Sequence, residues 1–364
     1  MRLLIYIGHP AHFHLFKNVI YNLKNKGHDV LITSKNKDIL DKLLAEEGLK
    51  HHNILVEGRK DDKFSIFMGM IKRDFRLFKY IRTTKPQLLI GTSVENSHLG
   101  KLFKIPVINV SEDDADVVPL YVRLSYPGAS VVLSPDVCDN GKWERKSVKY
   151  AGYHELSYLH PNHFKPEKSI VEKYFSADEP YFLIRFAKLT AHHDTGAKGI
   201  SRELAAKIVE ILRPYGRVYI TSERELEEEF EPCRMNINPL DIHHVMAFAK
   251  LYIGDSQTMA AEAGVLGTPF LRFNDFVGKL GYLNELEDKY ELGYGIKTEN
   301  PDILLSQIKE LVNIENSGEI FQARRVKMLN EKIDVAQFLT WFIDEYPDSL
   351  QKMKDEPEYQ FKFK

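Results

Sequence analysis

Cysteine is nearly absent from this sequence. Cys138 and Cys233 are the only two in 364 residues, far apart and outside any CxxC spacing. No disulfide framework is expected, and a reducing compartment is the expected home. Net charge is nearly absent as well: 50 Lys+Arg stand against 52 Asp+Glu for a formal charge of −2. That balance lacks the basic field that sequence-independent nucleic-acid binding needs, so no nucleic-acid partner is expected. No apolar stretch approaches the roughly 18–20 residues of a spanning helix. The opening MRLLIYIG has one Arg and a short apolar run, which reads as a buried first strand and not as a signal peptide. The expectation is a cytoplasmic protein. A GxGxxG fingerprint is missing after the first strand, which argues against a dinucleotide oxidoreductase.

What is present is an ordinary globular balance, 43% hydrophobic and 28% charged, in a chain longer than one core supports, so two domains are expected. Short continuous apolar runs alternate with helical periodicity. Leu3–Ile7, Asp29–Thr33, Gln87–Gly91 and Pro106–Val110 read as buried strands, with helices over Phe13 to Asn25 and Asp38–Glu47 between them. The pattern resets near residue 151, where AGYHELSYLHPNHFKPEKS is rich in turn formers and reads as a linker or hinge. It then runs again through Tyr181–Phe186, a helix from about Arg202 to Leu212, Arg217–Thr221, Leu251–Ile253 and Pro269–Phe273. Such runs between helices indicate parallel sheets covered on both faces. The fold class is therefore α/β, with two Rossmann-like doubly wound domains facing a cleft. The domains are expected at residues 1–155 and 156–335, with 336–364 as a C-terminal helix and tail packing back toward the first. ERELEEEFE (Glu223–Glu231) reads as a solvated acidic helix face.

The most informative stretch is LYIGDSQTMAAEAGVLGTPFLRF from Leu251: strand, polar turn, helix, Gly–Thr–Pro turn, strand. Ser256 and Asp255 are the expected N-cap types, and a helix start is a ready phosphate site. Glu262 follows Thr258 by four residues, on the same face, where a carboxylate could accept sugar hydroxyls. The plain structural alternative is a capping serine and an exposed helical acid. This stretch resembles DSGGxxEEAxxLGxP of the hydrolysing UDP-N-acetylglucosamine 2-epimerases and SGxxTxxExxxxGxP of GT-B glycosyltransferases. By that resemblance Ser256, Gln257 and Thr258 face a nucleotide diphosphate and Glu262 binds the ribose. Gln257 and Thr258 stand where the epimerases have paired glycines. The whole chain also resembles a GT-B-like family of bacterial and archaeal proteins of unassigned function, through GHPAHxHxFKN, GYxELAYLHP, RFxxxxAHHDxGxKGIS and DxxTMAxEAxxLGTP.

RFAKLTAHHDTGAKGIS concentrates Arg185, Lys188, His192, His193, Asp194 and Lys198 after a strand and resembles the epimerase loop bearing HRREN, so Arg185 and His193 are candidates for phosphate contact. In IPVINVSEDDAD, Glu112 sits beside Ser111, which occupies the position of an epimerase glutamate, and Gly91-Thr92-Ser93 replaces that family's GDT. Glu95 and Glu112 are the carboxylates left to substitute. At the first strand-to-helix junction, GHPAHFH carries His9, His12 and His14. HxH spacing also occurs in amidohydrolase-type metal sites, with His192, His193 and Asp194 as nominal partners, but Gly8 and Pro10 already end the strand before His12, and no metal is expected. GHPAH resembles GTGGH of GT-B transferases, which places His12 as the base that deprotonates an acceptor hydroxyl. In the plain alternative His12 caps the helix and His14 packs, while His9 is structural.

The sequence thus points to a glycosyltransferase-like enzyme using a UDP-sugar in surface polysaccharide or glycoconjugate biosynthesis. The alternatives are a UDP-N-acetylglucosamine 2-epimerase-like enzyme and a non-catalytic nucleotide-sugar-binding subunit. Its catalytic candidates are His12 and Glu112. Its partners are the nucleotide-sugar donor, as substrate and not as cofactor, and a glycan or lipid-linked acceptor. The amphipathic basic helix within 64–82 reads first as a packing helix with a solvated face, and second as a peripheral contact with the inner membrane face.

Overall fold

The structure is a computed structural model that describes residues 1–35, 39–55, 63–187 and 199–364, with side chains from residue 68 onward in the helix that begins at Lys63. The chain divides into two units, Met1–His163 together with Lys332–Lys364, and Phe164–Glu331. Both are α/β, with sheets of parallel strands only.

Among its described residues the first unit has seven strands: β1 (Arg2–Ile7), β2 (Asp29–Ser34), β3 (His52–Asn53), β4 (Leu88–Ile90), β5 (Val107–Val110), β6 (Val131–Pro135) and β7 (Ser147–Tyr150). They lie in the order β3-β2-β1-β4-β5-β6-β7. Its helices are α1 (Pro10–Asn25), α2 (Leu40–Glu46), α3 (Lys63–Thr84), α4 (Val94–Phe103), α5 (Pro119–Ser125), and, from the C-terminal segment, α13 (Val335–Asp344) and α14 (Asp348–Asp355). The central strand β1 is buried from Leu3 to Ile7, as a strand covered on both faces must be. Helix α1 starts at Pro10, earlier than the apolar periodicity from Phe13 suggests, because proline at the first helical position costs no hydrogen bond.

The segment read as a linker is not one. Residues 151–160 are buried, and they pack inside the first unit. Ser157 Oγ donates to the Leu15 carbonyl at 2.6 Å, Asn18 Nδ2 donates to the Ser157 carbonyl at 2.9 Å, and the Ala151 N–H donates to Gln360 at 2.6 Å. The turn formers here shape a compact 3₁₀ turn at His154–Ser157 around buried Tyr153 and Leu156, and do not mark a flexible connection. Helix α13 lies on α1, where Asp344 receives Lys26 at 2.7 Å and His28 at 2.8 Å. At its other end Asp334 caps α13. This fully buried carboxylate accepts from His163 Nε2 (2.7 Å), Asn162 Nδ2 (3.0 Å), Gln337 N (3.0 Å) and Gln337 Nε2 (2.9 Å).

Among its described residues the second unit has five strands: β8 (Tyr181–Phe186), β9 (Arg217–Ser222), β10 (Leu251–Gly254), β11 (Phe270–Phe273) and β12 (Gly293–Ile296), in the order β12-β11-β10-β8-β9. Its helices are α6 (Lys168–Val171), α7 (Arg202–Leu212), α8 (Ile242–Ala247), α9 (Gln257–Leu266), α10 (Gly281–Asn284), α11 (Pro301–Val312) and α12 (Ser317–Glu331). Residues Glu223–Glu231 are a solvated acidic run, with Glu225, Glu228, Glu229 and Glu231 exposed, but the helical part is only a 3₁₀ turn at Glu228–Cys233, because Leu226 and Phe230 are buried against the core. Among the described residues no helix is long and apolar enough to cross a membrane.

Candidate functional sites at the two switch points

Each sheet reverses its winding once. In the first unit the chain runs outward through β2 and β3, then returns to place β4 on the other side of β1. In the second, β9 lies on one side of β8 and β10 on the other. Ligands of open α/β sheets bind beyond the carboxyl ends of the strands at such points. The loops to examine therefore follow β1 and β4 in one unit, and β8 and β10 in the other.

In the second unit β10 leads directly into α9. Ser256 is the N-cap, its Oγ accepting from Met259 N at 3.4 Å, and Gln257 and Thr258 open the first turn, half-buried. The first-turn N–H groups of any helix lack intrahelical acceptors and carry partial positive charge, which suits an anion. Asp255, just before, is a strut and not a cap. Its carboxylate accepts from Ala187 N at 2.6 Å and Ile200 N at 3.3 Å, and burial pushes it up to about 6 although those donors pull the other way. Gly199 is required beside it, since a Cβ there would collide with the Asp255 carboxylate.

Glu262 is not an exposed helical acid: its side chain is 6% exposed and lies 3.0 Å from His243 Nε2 of α8. Arg185, at the end of β8, gives Nη1 to Thr221 Oγ1 at 2.7 Å and Nη2 to Glu223. His193, with Lys188, His192, Asp194 and Lys198, lies outside the described residues. Sequence reasoning missed the support behind this turn. Arg272 of β11, with no exposed area, grips Glu287 through Nε (2.9 Å) and Nη2 (3.1 Å). Its Nη1 donates to Asn274 Oδ1 at 3.4 Å, and Asn274 Nδ2 donates to the Asp255 carbonyl at 3.1 Å. The RFND run after the Gly–Thr–Pro turn was the available signal, a charged residue inside a strand that is otherwise apolar.

In the first unit, β1 ends at Ile7 and His9 caps α1, its Nδ1 accepting from Ala11 N at 3.1 Å. The cap is thus His9 and not His12, because Pro10 fixes the first helical position immediately after it. His12 is in the first turn, half-buried, its ring centroid 6.0 Å from that of His9. His14 packs between Phe13 (5.0 Å) and Tyr158 (5.1 Å).

After β4, Ser93 caps α4 and accepts from Asn96 N at 3.0 Å. Glu95 follows, but it is sealed: 3% exposed, ion-paired to Arg73 of α3 and bound by Ser93 Oγ at 3.0 Å. Burial would raise its pKa, yet Arg73 holds it below the ordinary value. Of the two carboxylates left to substitute for the epimerase acids, Glu95 is thus the one already engaged, by Arg73 and Ser93. Glu112, after β5, accepts the His154 backbone N–H at 3.2 Å and lies 3.3 Å from His154 Nδ1. Burial holds the His154 imidazole down to about 4, hence neutral. Asp114 is structural, accepting from Asp139 N at 2.7 Å. Among the described residues no group of three or more His, Cys, Asp or Glu could hold a metal ion.

Comparison with known proteins agrees with this architecture. The family described as "Protein of unknown function (DUF354)" matches residues 1–332. No curated protein matches the chain significantly. Among solved structures it is similar to MnaA of S. aureus in a co-structure with UDP, at 12% identity and TM-score 0.68 over 96% of this chain and 97% of that one. It is also similar to UDP-GlcNAc 2-epimerase from Neisseria meningitidis bound to UDP-GlcNAc, at 16% identity and TM-score 0.57 over 91% and 100%. A third likeness is to the glycosyltransferase SsfS6 of Streptomyces sp. SF2575 complexed with thymidine diphosphate, at 12% identity and TM-score 0.58 over 95% and 99%. At these identities the likenesses establish the fold: two Rossmann-like units of the GT-B type.

Proposed function

Because the chain belongs to the DUF354 family, for which no reaction is described, we propose its function from the switch points: a glycosyltransferase-like enzyme that uses a UDP-sugar in surface polysaccharide or glycoconjugate synthesis. The observation that carries the reading is the β10–α9 turn, a helix start at the carboxyl end of a switch-point strand with a buried carboxylate, Glu262, one turn deeper. The fold shared with UDP- and nucleotide-bound proteins supports it.

In this proposal Ser256, Gln257 and Thr258 bind the donor diphosphate, aided by Arg185 and His193, and Glu262 accepts the ribose hydroxyls. His12 takes the proton of the acceptor hydroxyl as that oxygen attacks the anomeric carbon. The bond from sugar to diphosphate breaks, and the negative charge that develops on the leaving oxygen is met by the α9 start. Glu112, braced by neutral His154, is the second catalytic candidate. The scheme assigns no metal and no organic cofactor. Retention of a sugar-transfer role over epimerisation rests on Glu95, which is sealed against Arg73.

Incubating the full chain with a panel of UDP-sugars, with and without glycan or lipid-linked acceptors, tests the reaction class by product analysis. Donor consumption that depends on acceptor is expected. An isomerised free donor would make the protein an epimerase, and binding without turnover would make it a binding subunit.

A further inference from the structure

From residue 68 onward, helix α3 turns one face outward, where its side chains are exposed. Its inner face is fixed by the Arg73–Glu95 ion pair and by Leu77 and Ile81, which pack in a core with Leu4, Leu89 and Leu99. That orientation forces Met68, Ile71, Lys72, Phe75, Lys79 and Arg82 onto the outer face, since their spacing at 100° per residue keeps them within one stripe. All six are exposed; Met68, Ile71 and Phe75 are 37%, 43% and 57% accessible. The cations lie between the apolar residues, with Lys79 Nζ 4.4 Å above the Phe75 ring.

The stripe continues onto α4, which is joined to α3 by Phe78 against Phe103 at 5.1 Å. There Leu102 is 62% exposed, between Lys101 and Lys104. A dimple of about 250 Å³ lies along the seam, floored by Ile81, Pro86, Phe103 and Ile105 and rimmed by Arg82 and Lys85. Residues 68–104 hold eight Lys and Arg against two acids, Asp74 and Glu95. Both acids are occupied, Asp74 by His98 at 3.1 Å and Glu95 by Arg73. In a chain of net charge −2, this is a concentrated positive surface.

We infer that the α3–α4 face docks on an anionic lipid bilayer, with Met68, Ile71, Phe75 and Leu102 entering the headgroup–acyl boundary and Lys72, Lys79 and Arg82 pairing with lipid phosphates. Charge complementarity selects this occupant. Lysine is depleted from protein–protein interfaces, whereas its long stem suits a membrane interface, where apolar atoms sink and the ammonium stays wet. The inference is independent of the nucleotide reading, whose residues lie on other elements.

Co-sedimentation of the full chain with vesicles tests it, using phosphatidylcholine alone or mixed with phosphatidylglycerol. Binding only to the anionic vesicles, weakened by salt, is expected. The Lys72→Gln/Lys79→Gln/Arg82→Gln protein should partition about a hundredfold more weakly, from the contribution of each basic side chain near an anionic leaflet. Phe75→Ser with Ile71→Ser should also release it, and Lys72→Arg/Lys79→Arg should not. Each variant alters exposed positions only, and circular dichroism and UDP affinity should match wild type. Equal binding to neutral vesicles, undiminished binding by the triple variant, or polyanion binding indifferent to Phe75→Ser would overturn it, the last pointing to nucleic acid.

Discussion

Replacing Glu95 by alanine is expected to destabilise the first unit by about 3–5 kcal/mol, because it leaves a buried guanidinium without its counter-ion. Arg73 is 9% exposed and Glu95 3%, so neither charge can recover hydration without local unfolding. Burial alone would lower the Arg73 pKa, and the neighbouring carboxylate is what holds it above the ordinary value. The same logic predicts that Arg73→Met with Glu95→Leu recovers most of the loss, since a dry, well-packed pair requires no desolvated charge. Urea denaturation followed by tryptophan fluorescence reads this directly, as Trp143 and Trp341 both lie in the first unit. A loss below about 1 kcal/mol, the scale of an exposed pair, would show the ion pair to be hydrated.

Asp334→Ala should cost about 3–5 kcal/mol, combining a lost helix cap with four donors that no longer meet a charged acceptor. The conservative Asp334→Asn separates the charge from the shape, through pH. Burial tends to raise this carboxyl, but His163, Asn162 and Gln337 overcome it and bring it from 3.8 to about 2. A depressed pKa means that ionisation favours the folded state. The stabilisation is therefore complete above the unfolded value, near 4, and is lost as pH falls from there through about 2. The shift corresponds to roughly 2.5 kcal/mol. Wild type should lose most of that increment relative to Asp334→Asn as pH falls from about 4 through about 2, measured by denaturation at each pH. Parallel curves for the two proteins would assign the cap no electrostatic role.

Both effects concern elements whose partners are distant in sequence, and this marks where the sequence was legible. Strands with continuous apolar runs, such as Tyr181–Phe186 and Leu251–Gly254, were readable because burial on both faces leaves a local signature. Strand β12 (GYGI) was not: glycine weakens strand propensity, and Gly293 is there because the Phe270 ring occupies the space of a Cβ. The stretch from Ala151 to His163 read as a hinge because its polar and turn-forming residues gain their partners from α1, the loop after β5 and the C-terminal segment, all distant in sequence.

At the candidate site, Ser256, Gln257, Thr258 and Glu262 were visible as one motif because a single helix carries them all. Their supports were not. His243, Arg272 and Asn274 reach the motif from α8, β11 and the turn that follows β11, and only the folded chain brings them behind it. Glu95 shows the converse. It looked available beside Gly91-Thr92-Ser93 until α3 supplied Arg73, a partner 22 residues earlier in the chain.

Calorimetric titration with UDP tests the central assignment, that the β10–α9 turn is a nucleotide site. Wild type should bind one UDP saturably, and Glu262→Ala should bind it roughly 10- to 100-fold more weakly, the scale of hydrogen bonds to a charged group. No heat with wild type, or equal affinity in a correctly folded Glu262→Ala protein, would contradict the account.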